Sequence, residues 1–144
     1  GGKEGLFEEA LGRYLKGARE AYRDILTAKP QGVGNIRAYF DAIRYDPDYH
    51  GCFIINTLSE KHVVSEAAYD LVHHFTREAR DLFKENLDAA LVRGDLAEGS
   101  NSRVLSQYLL TLDQGLSIYG IGDPDNAVKD QIVDVALNSI FGST

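Results

Sequence analysis

The 144-residue sequence predicts an all-α domain of about six helices, and three observations predict it. Apolar residues recur at three- and four-residue spacing along nearly every segment, where half-buried strands would alternate in twos. Proline, glycine and aspartate gather in short clusters between those segments, where helices stop and start. The last two segments are apolar around more of their circumference than one core can use, so these helices are expected to pair with a second copy in a dimeric four-helix bundle.

The first helix is expected over Glu4 to Thr27, with Phe7, Leu11, Leu15, Ala18, Tyr22 and Ile25 inward. Lys29-Pro30-Gln31-Gly32 ends it, because proline disfavours helical geometry in the residue before it. A second helix follows, Gly34 to Arg44, burying Ile36, Tyr39, Phe40 and Ile43. Asp46-Pro47-Asp48 reads as a turn, and Gly51 to Glu60 as a short apolar helix. Val64 to Arg93 is the longest pattern, with Ala68, Leu71, Val72, Phe75, Ala79, Leu82, Phe83 and Ala90 on one face, ending at Gly94. The fifth helix is expected to be capped by Ser102 or Ser100 and to bury Leu105, Tyr108, Leu109, Leu112, Leu116 and Tyr119. Gly120 to Pro124 reads as the next link, with Asp123 as cap and Pro124 opening a final helix to Phe141 that lies antiparallel to the fifth.

On that final helix Val128, Ile132, Val135, Ala136 and Ile140 form one apolar face, and Val133 and Leu137 widen it past half the circumference. Leu110 and Ile118 also lie off the main face of the fifth helix. The expected dimer interface is therefore Leu110, Ile118, Val128, Ile132, Val133 and Leu137. Scattered exposed apolar residues are the alternative, since such residues are common on monomers.

Composition narrows the function classes. Hydrophobic residues are 44% and charged residues 26% of the chain, ordinary for one globular domain. The net charge of −7 and the lack of a basic cluster argue against nucleic-acid binding by this stretch alone. No apolar run approaches the roughly 20 residues of a membrane helix, and no secretory signal is present. Cys52, the single cysteine, has no intramolecular disulfide partner, so the cytoplasm is the default compartment. No phosphate-binding glycine loop, nucleophile motif or cofactor signature appears, and no enzyme is expected.

Four segments carry a resemblance to a known family. Lys3 to Phe7 looks like a junction into a connecting helix; Gly51-Cys52-Phe53-Ile54-Ile55-Asn56-Thr57-Leu58-Ser59-Glu60 is similar to a "GC, three apolar, NT-x-x-E" segment; Arg93-Gly94-Asp95-Leu96 resembles an "RGEL" helix end; and Leu109 to Leu116 resembles an "LL-x-x-x-QGL" helix. Together, in this order, they resemble the ligand-binding and dimerisation domain of TetR-family (tetracycline-repressor-like) transcription regulators, across residues 1–144. The resemblance implies a homodimer, a small-molecule effector held inside the helical body, and operator DNA contacted only through a helix-turn-helix head absent from this sequence. A headless dimerisation or protein-interaction module without a ligand is the alternative.

An effector pocket directs attention to polar and aromatic groups on inward faces. The candidate ligand contacts are Tyr39, Cys52, Phe53, Asn56, Phe75, Asn86, Tyr108 and Leu112. Asn86 sits mid-stripe on the long helix and reads either as a ligand contact or as a structural amide bonded to backbone. Cys52 reads as a small buried hydrophobe or as a thiol at a helix start. His73 and His74, near Asp70 and Glu78, suggest a metal by spacing alone; a solvated helix face is the preferred account, and no metal is expected. Gly5, Gly12 and Gly17 interrupt the first helix, either to soften a lever or to admit a closely packed neighbour.

Overall fold

The computed structural model describes residues 2–49 and 51–142, and every regular element in them is a helix: α1 Gly2–Leu26, α2 Val33–Ala42, α3 Phe53–Ser59, α4 Glu66–Arg93, α5 Ser102–Gly122 and α6 Asn126–Phe141. The all-α, six-helix expectation holds. Among the described residues, no helix is long and apolar enough to cross a membrane.

α4 is the spine. Its buried stripe, Ala68, Val72, Phe75, Ala79, Leu82, Phe83, Leu87 and Ala90, contacts α1, α2, α3 and α5. Leu71, expected in that stripe, is 44% exposed instead. Ser65 caps the helix by accepting from the Ala68 amide, and its hydroxyl donates to Glu8 of α1 at 2.7 Å. Gly94 closes the other end at φ 78°, a left-handed conformation that glycine adopts without steric cost.

The α1–α2 turn is pinned by one amide. Asn86 of α4 donates to the carbonyls of Leu26 (2.9 Å) and Leu82 (2.8 Å) and accepts from the Gly32 amide and the Asn35 side chain, both at 3.0 Å. Two donors and two acceptor positions exhaust its capacity, so a fully buried amide is fully satisfied.

α6 is held from its start. Asn126 accepts from the Tyr45 amide at 2.9 Å and donates to the Tyr45 carbonyl at 2.8 Å. One turn on, the fully buried Lys129 donates to the carbonyls of Phe40 (3.1 Å) and Ile43 (2.8 Å), placing a cation on the C-terminal end of α2, and pairs with Asp130 at 2.8 Å. These contacts seat α6 on α2.

Several boundaries and faces differ from expectation. Asn101, not Ser100 or Ser102, caps α5 by accepting from the Arg103 and Val104 amides. Asp125, not Asp123, caps α6, and Pro124 lies before the helix rather than in its first turn. Gly120 does not end α5, which continues to Gly122. The inward face of α5 is also rotated: Ser106, Leu109, Leu110, Leu116 and Gly120 are buried, whereas Tyr108 and Tyr119 are exposed. Val133 and Leu137 are buried in the subunit's own core, so they are not on the surface that a second copy would meet.

Gly5, Gly12 and Gly17 have nothing within 4 Å of where a Cβ would stand. Close packing within the subunit therefore does not account for them.

Candidate functional site

Between α1, α2, the α2–α3 loop, α4 and α5 lies a cavity of about 320 Å³. A smaller recess of about 40 Å³ shares Tyr22, Tyr39, Cys52, Ile54, Phe75, Asp113 and Ser117 with it and extends it inward. The walls follow from helix periodicity. Tyr14, Ala18, Tyr22 and Ile25 stand on successive turns of α1, Tyr39 and Ile43 on one side of α2, and Asp113 and Ser117 one turn apart on α5.

The loop wall depends on a glycine. Tyr45 donates its hydroxyl to the Leu116 carbonyl and Tyr49 to the Ser117 carbonyl at 3.1 Å, so both rings lie against the α5 backbone. A Cβ on Gly120 would stand 2.8 Å from the Tyr49 ring and 2.9 Å from the Tyr45 ring. Gly120 is thus a notch that admits two rings, themselves packed with centroids 4.9 Å apart. The Asp46-Pro47-Asp48 turn delivers them, with the Asp46 carboxylate accepting from the Asp48 amide at 2.8 Å.

Three polar groups give this aromatic hollow its chemistry. Asp113 is a carboxylate among phenol rings. Burial pushes its pKa up from 3.8 to about 6, the nearby Tyr39 hydroxyl opposing the rise. The same burial raises the tyrosines: Tyr14, Tyr22, Tyr39, Tyr45 and Tyr49 all sit above the ordinary phenol value, chiefly by desolvation, and so remain neutral. The Tyr22 hydroxyl is buried without a hydrogen-bond partner among the described residues. The Tyr14 hydroxyl and the Cys52 sulfur are 3.5 Å apart.

Of the residues singled out from sequence, Tyr39, Cys52 and Phe75 line both compartments. Phe53 instead packs on α1, stacking on Phe7 at 5.3 Å with Tyr14 at 5.5 Å. Asn56 is exposed, Tyr108 faces outward, and Leu112 packs against the core outside the cavity walls. Asn86 is committed to its four structural hydrogen bonds. Leu110, expected at the dimer surface, lines the inner recess. Glu78 is engaged by Arg19 at 3.0 Å and Arg23 at 2.7 Å, which ties α1 to α4 beside His74.

Sequence reasoning missed Asp113, Tyr45, Tyr49 and Gly120. The wheel applied to Asn86 would have found Asp113, which projects beside Leu109, Leu116 and Gly120. The loop tyrosines offer no periodic signal.

No protein-family profile matches the sequence, and no curated protein matches it significantly. Among solved structures the chain is similar to the reduced form of E. coli NemR, with 16% identity, a TM-score of 0.78, and coverage of 96% of this chain and 74% of that one. It is similar also to a TetR-family transcriptional regulator from Agrobacterium tumefaciens, with 15% identity, a TM-score of 0.73, and coverage of 94% and 73%. At that identity the likeness is one of fold: the chain has the helical fold of TetR-like regulators.

Proposed function

We propose that this chain is the effector-binding, homodimerising body of a TetR-like transcription regulator, released from or recruited to DNA by a small apolar or amphipathic ligand. The observation that carries the reading is the aromatic cavity itself. Its volume of about 320 Å³ lies in the roughly 300–1,000 Å³ range of small-molecule sites, and one whole wall is α1.

That wall supplies a mechanism. α1 is fixed at its C-terminal end, where Asn86 holds the Leu26 carbonyl, and over the turns before it, where Arg19 and Arg23 meet Glu78. A ligand pressing on Tyr14 and Ala18 acts on the part of α1 that Ser65 meets at Glu8 and Phe53 meets at Phe7 and Tyr14, and shifts the population of α1 orientations. Two DNA-reading heads joined to such helices must address major grooves about 34 Å apart, so a small change in spacing costs register. DNA contact in this reading belongs to a helix-turn-helix outside the 144 residues. The ligand chemistry calls for no catalytic group and no resident cofactor.

Dimerisation rests on two faces. The outward side of α5 carries Val104, Tyr108, Thr111, Gly115 and Ile118 without a single charge, and Ile118 is 56% exposed. On α6, Val128 and Ile132 are half-buried beside Val135, which is 75% exposed. Faces of this kind suit a symmetric four-helix contact. The interface then centres on Ile118, Val128, Ile132 and Val135.

N-phenyl-1-naphthylamine, a neutral apolar fluorophore, tests the pocket. It should brighten on binding and raise the melting temperature by mass action, and Ala18→Phe should abolish both effects. Absence of binding to the wild-type chain would remove the effector reading and leave the protein-interaction alternative, which the uncharged α5 face favours. Sedimentation should give a dimer that Ile118→Asp converts to monomer.

A further inference from the structure

The cavity wall carries a half-buried carboxylate, Asp113, that meets no cation among the described residues. Asp113 makes no ion pair among the described residues, and the group that favours its ionised form is the neutral Tyr39 hydroxyl. Among the described residues of the cavity wall the cation is Arg44, which is turned to Asp130 at 3.4 Å, its side chain 58% exposed. An unpaired carboxylate in a desolvated site is costly to the folded protein, and cavities that serve packing alone are lined by apolar groups instead.

What surrounds the carboxylate is equally specific. Tyr14, Tyr22, Tyr39, Tyr45, Tyr49 and Phe75 present aromatic surface to one space. Rings of this kind attract a cation to their faces, most strongly when it has been stripped of water. Tyr22 edges onto Phe75 with centroids 5.1 Å apart. Apolar groups, Ala18, Ile25, Ile43 and Ile54, complete the lining and suit a hydrocarbon body.

We propose that the ligand of this cavity is an organic cation, a protonated amine or quaternary ammonium carried on an apolar body, with Asp113 as its counter-ion and the tyrosine rings as its cage. The assignment rests on the effector reading above and narrows it to one ligand class. Neutral and anionic amphiphiles of the same shape leave the carboxylate unpaired or repelled, and bind more weakly.

The test uses a charge series of near-identical shape on the 144-residue chain at pH 7.5: benzyltrimethylammonium, its neutral carbon isostere neopentylbenzene, and the anion benzylsulfonate. Each is titrated for displacement of N-phenyl-1-naphthylamine. The cation should displace the fluorophore at about a tenth of the concentration its neutral isostere needs, with the anion weakest. Asp113→Asn should remove most of the cation's advantage over its neutral isostere, both being titrated against the fluorophore on the same variant. The proposal is overturned if the neutral isostere matches the cation on the wild-type chain, a comparison that needs no variant to fold. It is overturned also if Asp113→Asn leaves the cation's preference intact. Fluorophore binding without a cation preference ends this inference alone, whereas no binding of any probe ends the effector reading with it.

Discussion

Asp113→Asn should make the empty protein more stable at neutral pH, and the size of the effect follows from the site. The carboxyl titrates near 3.8 when unfolded and near 6 in the folded chain, the rise being caused by burial and reduced by the Tyr39 hydroxyl. A raised acid pKa means that the native state holds the proton more tightly than the unfolded state does. Its contribution to stability is therefore full below about pH 4 and is lost as pH climbs through about 6, after which the loss is constant. The difference in pKa corresponds to a loss on the order of 3 kcal/mol. Asparagine keeps the shape and never ionises, but its N–H groups need partners in the same hollow, so the net gain is about 1–3 kcal/mol. Urea melts of wild type and variant from pH 4 to 8 isolate the effect, because carboxylates with the opposite slope, such as Asp88 and Asp130 with pKa values lowered by Lys84 and Lys129, are common to both. Among the described residues, the titratable groups near Asp113 are Tyr39 from α2, Tyr14 from α1, and Tyr45 and Tyr49 from the loop, with Arg44 at the rim paired to Asp130. The variant's advantage should be smallest at pH 4 and reach a plateau above about 7. A difference that ignores pH, or a variant less stable at pH 7.5, would refute the burial argument.

The other perturbations are structural. Asn86→Ala orphans the buried Gly32 amide and deletes three more hydrogen bonds, so denaturation should show a loss of about 3–5 kcal/mol; a loss below 1 would mean the α1–α2 turn is held elsewhere. Lys129→Met fills the same space but leaves the Phe40 and Ile43 carbonyls without their donor, and should cost about 2–4 kcal/mol in the same assay. Gly12→Ala meets nothing within 4 Å, and should raise the melting temperature by a few degrees, about 1 kcal/mol. Gly120→Ala should dislodge Tyr45 and Tyr49 from α5, weakening fluorophore binding more than it lowers helix content by circular dichroism.

Helix number and order were legible because hydrophobic spacing reports burial directly, and the stripe of α4 carries its signal over 28 residues. Caps were less so. Ser102 and Asp123 both have the right chemistry, yet Asn101 and Asp125 win, and at α6 the reason lies across the molecule: the first helical residue, Asn126, is the one that clasps both backbone groups of Tyr45. No local rule contains Tyr45. Lys129 hides for a similar reason, since a lysine in an otherwise apolar face reads as solvent-facing until the carbonyl end of α2 is placed above it.

The α5 error reaches furthest into function. Tyr108 and Tyr119 look like core, and together with Leu105 and Leu112 they draw the inferred inward face roughly a quarter turn from the true one, which runs through Leu109, Asp113, Leu116 and Gly120. On that face a carboxylate and a glycine stand where a plain core would place leucine or valine, and each subtracts from the apolar signal. Gly120 is there because two loop tyrosines need its missing side chain, and Asp113 is there at a cost to the empty fold. A pattern tuned only for packing would have replaced both. At those two residues the binary pattern fails, and the rings it would have placed inward, Tyr108 and Tyr119, stand on the outward face of α5.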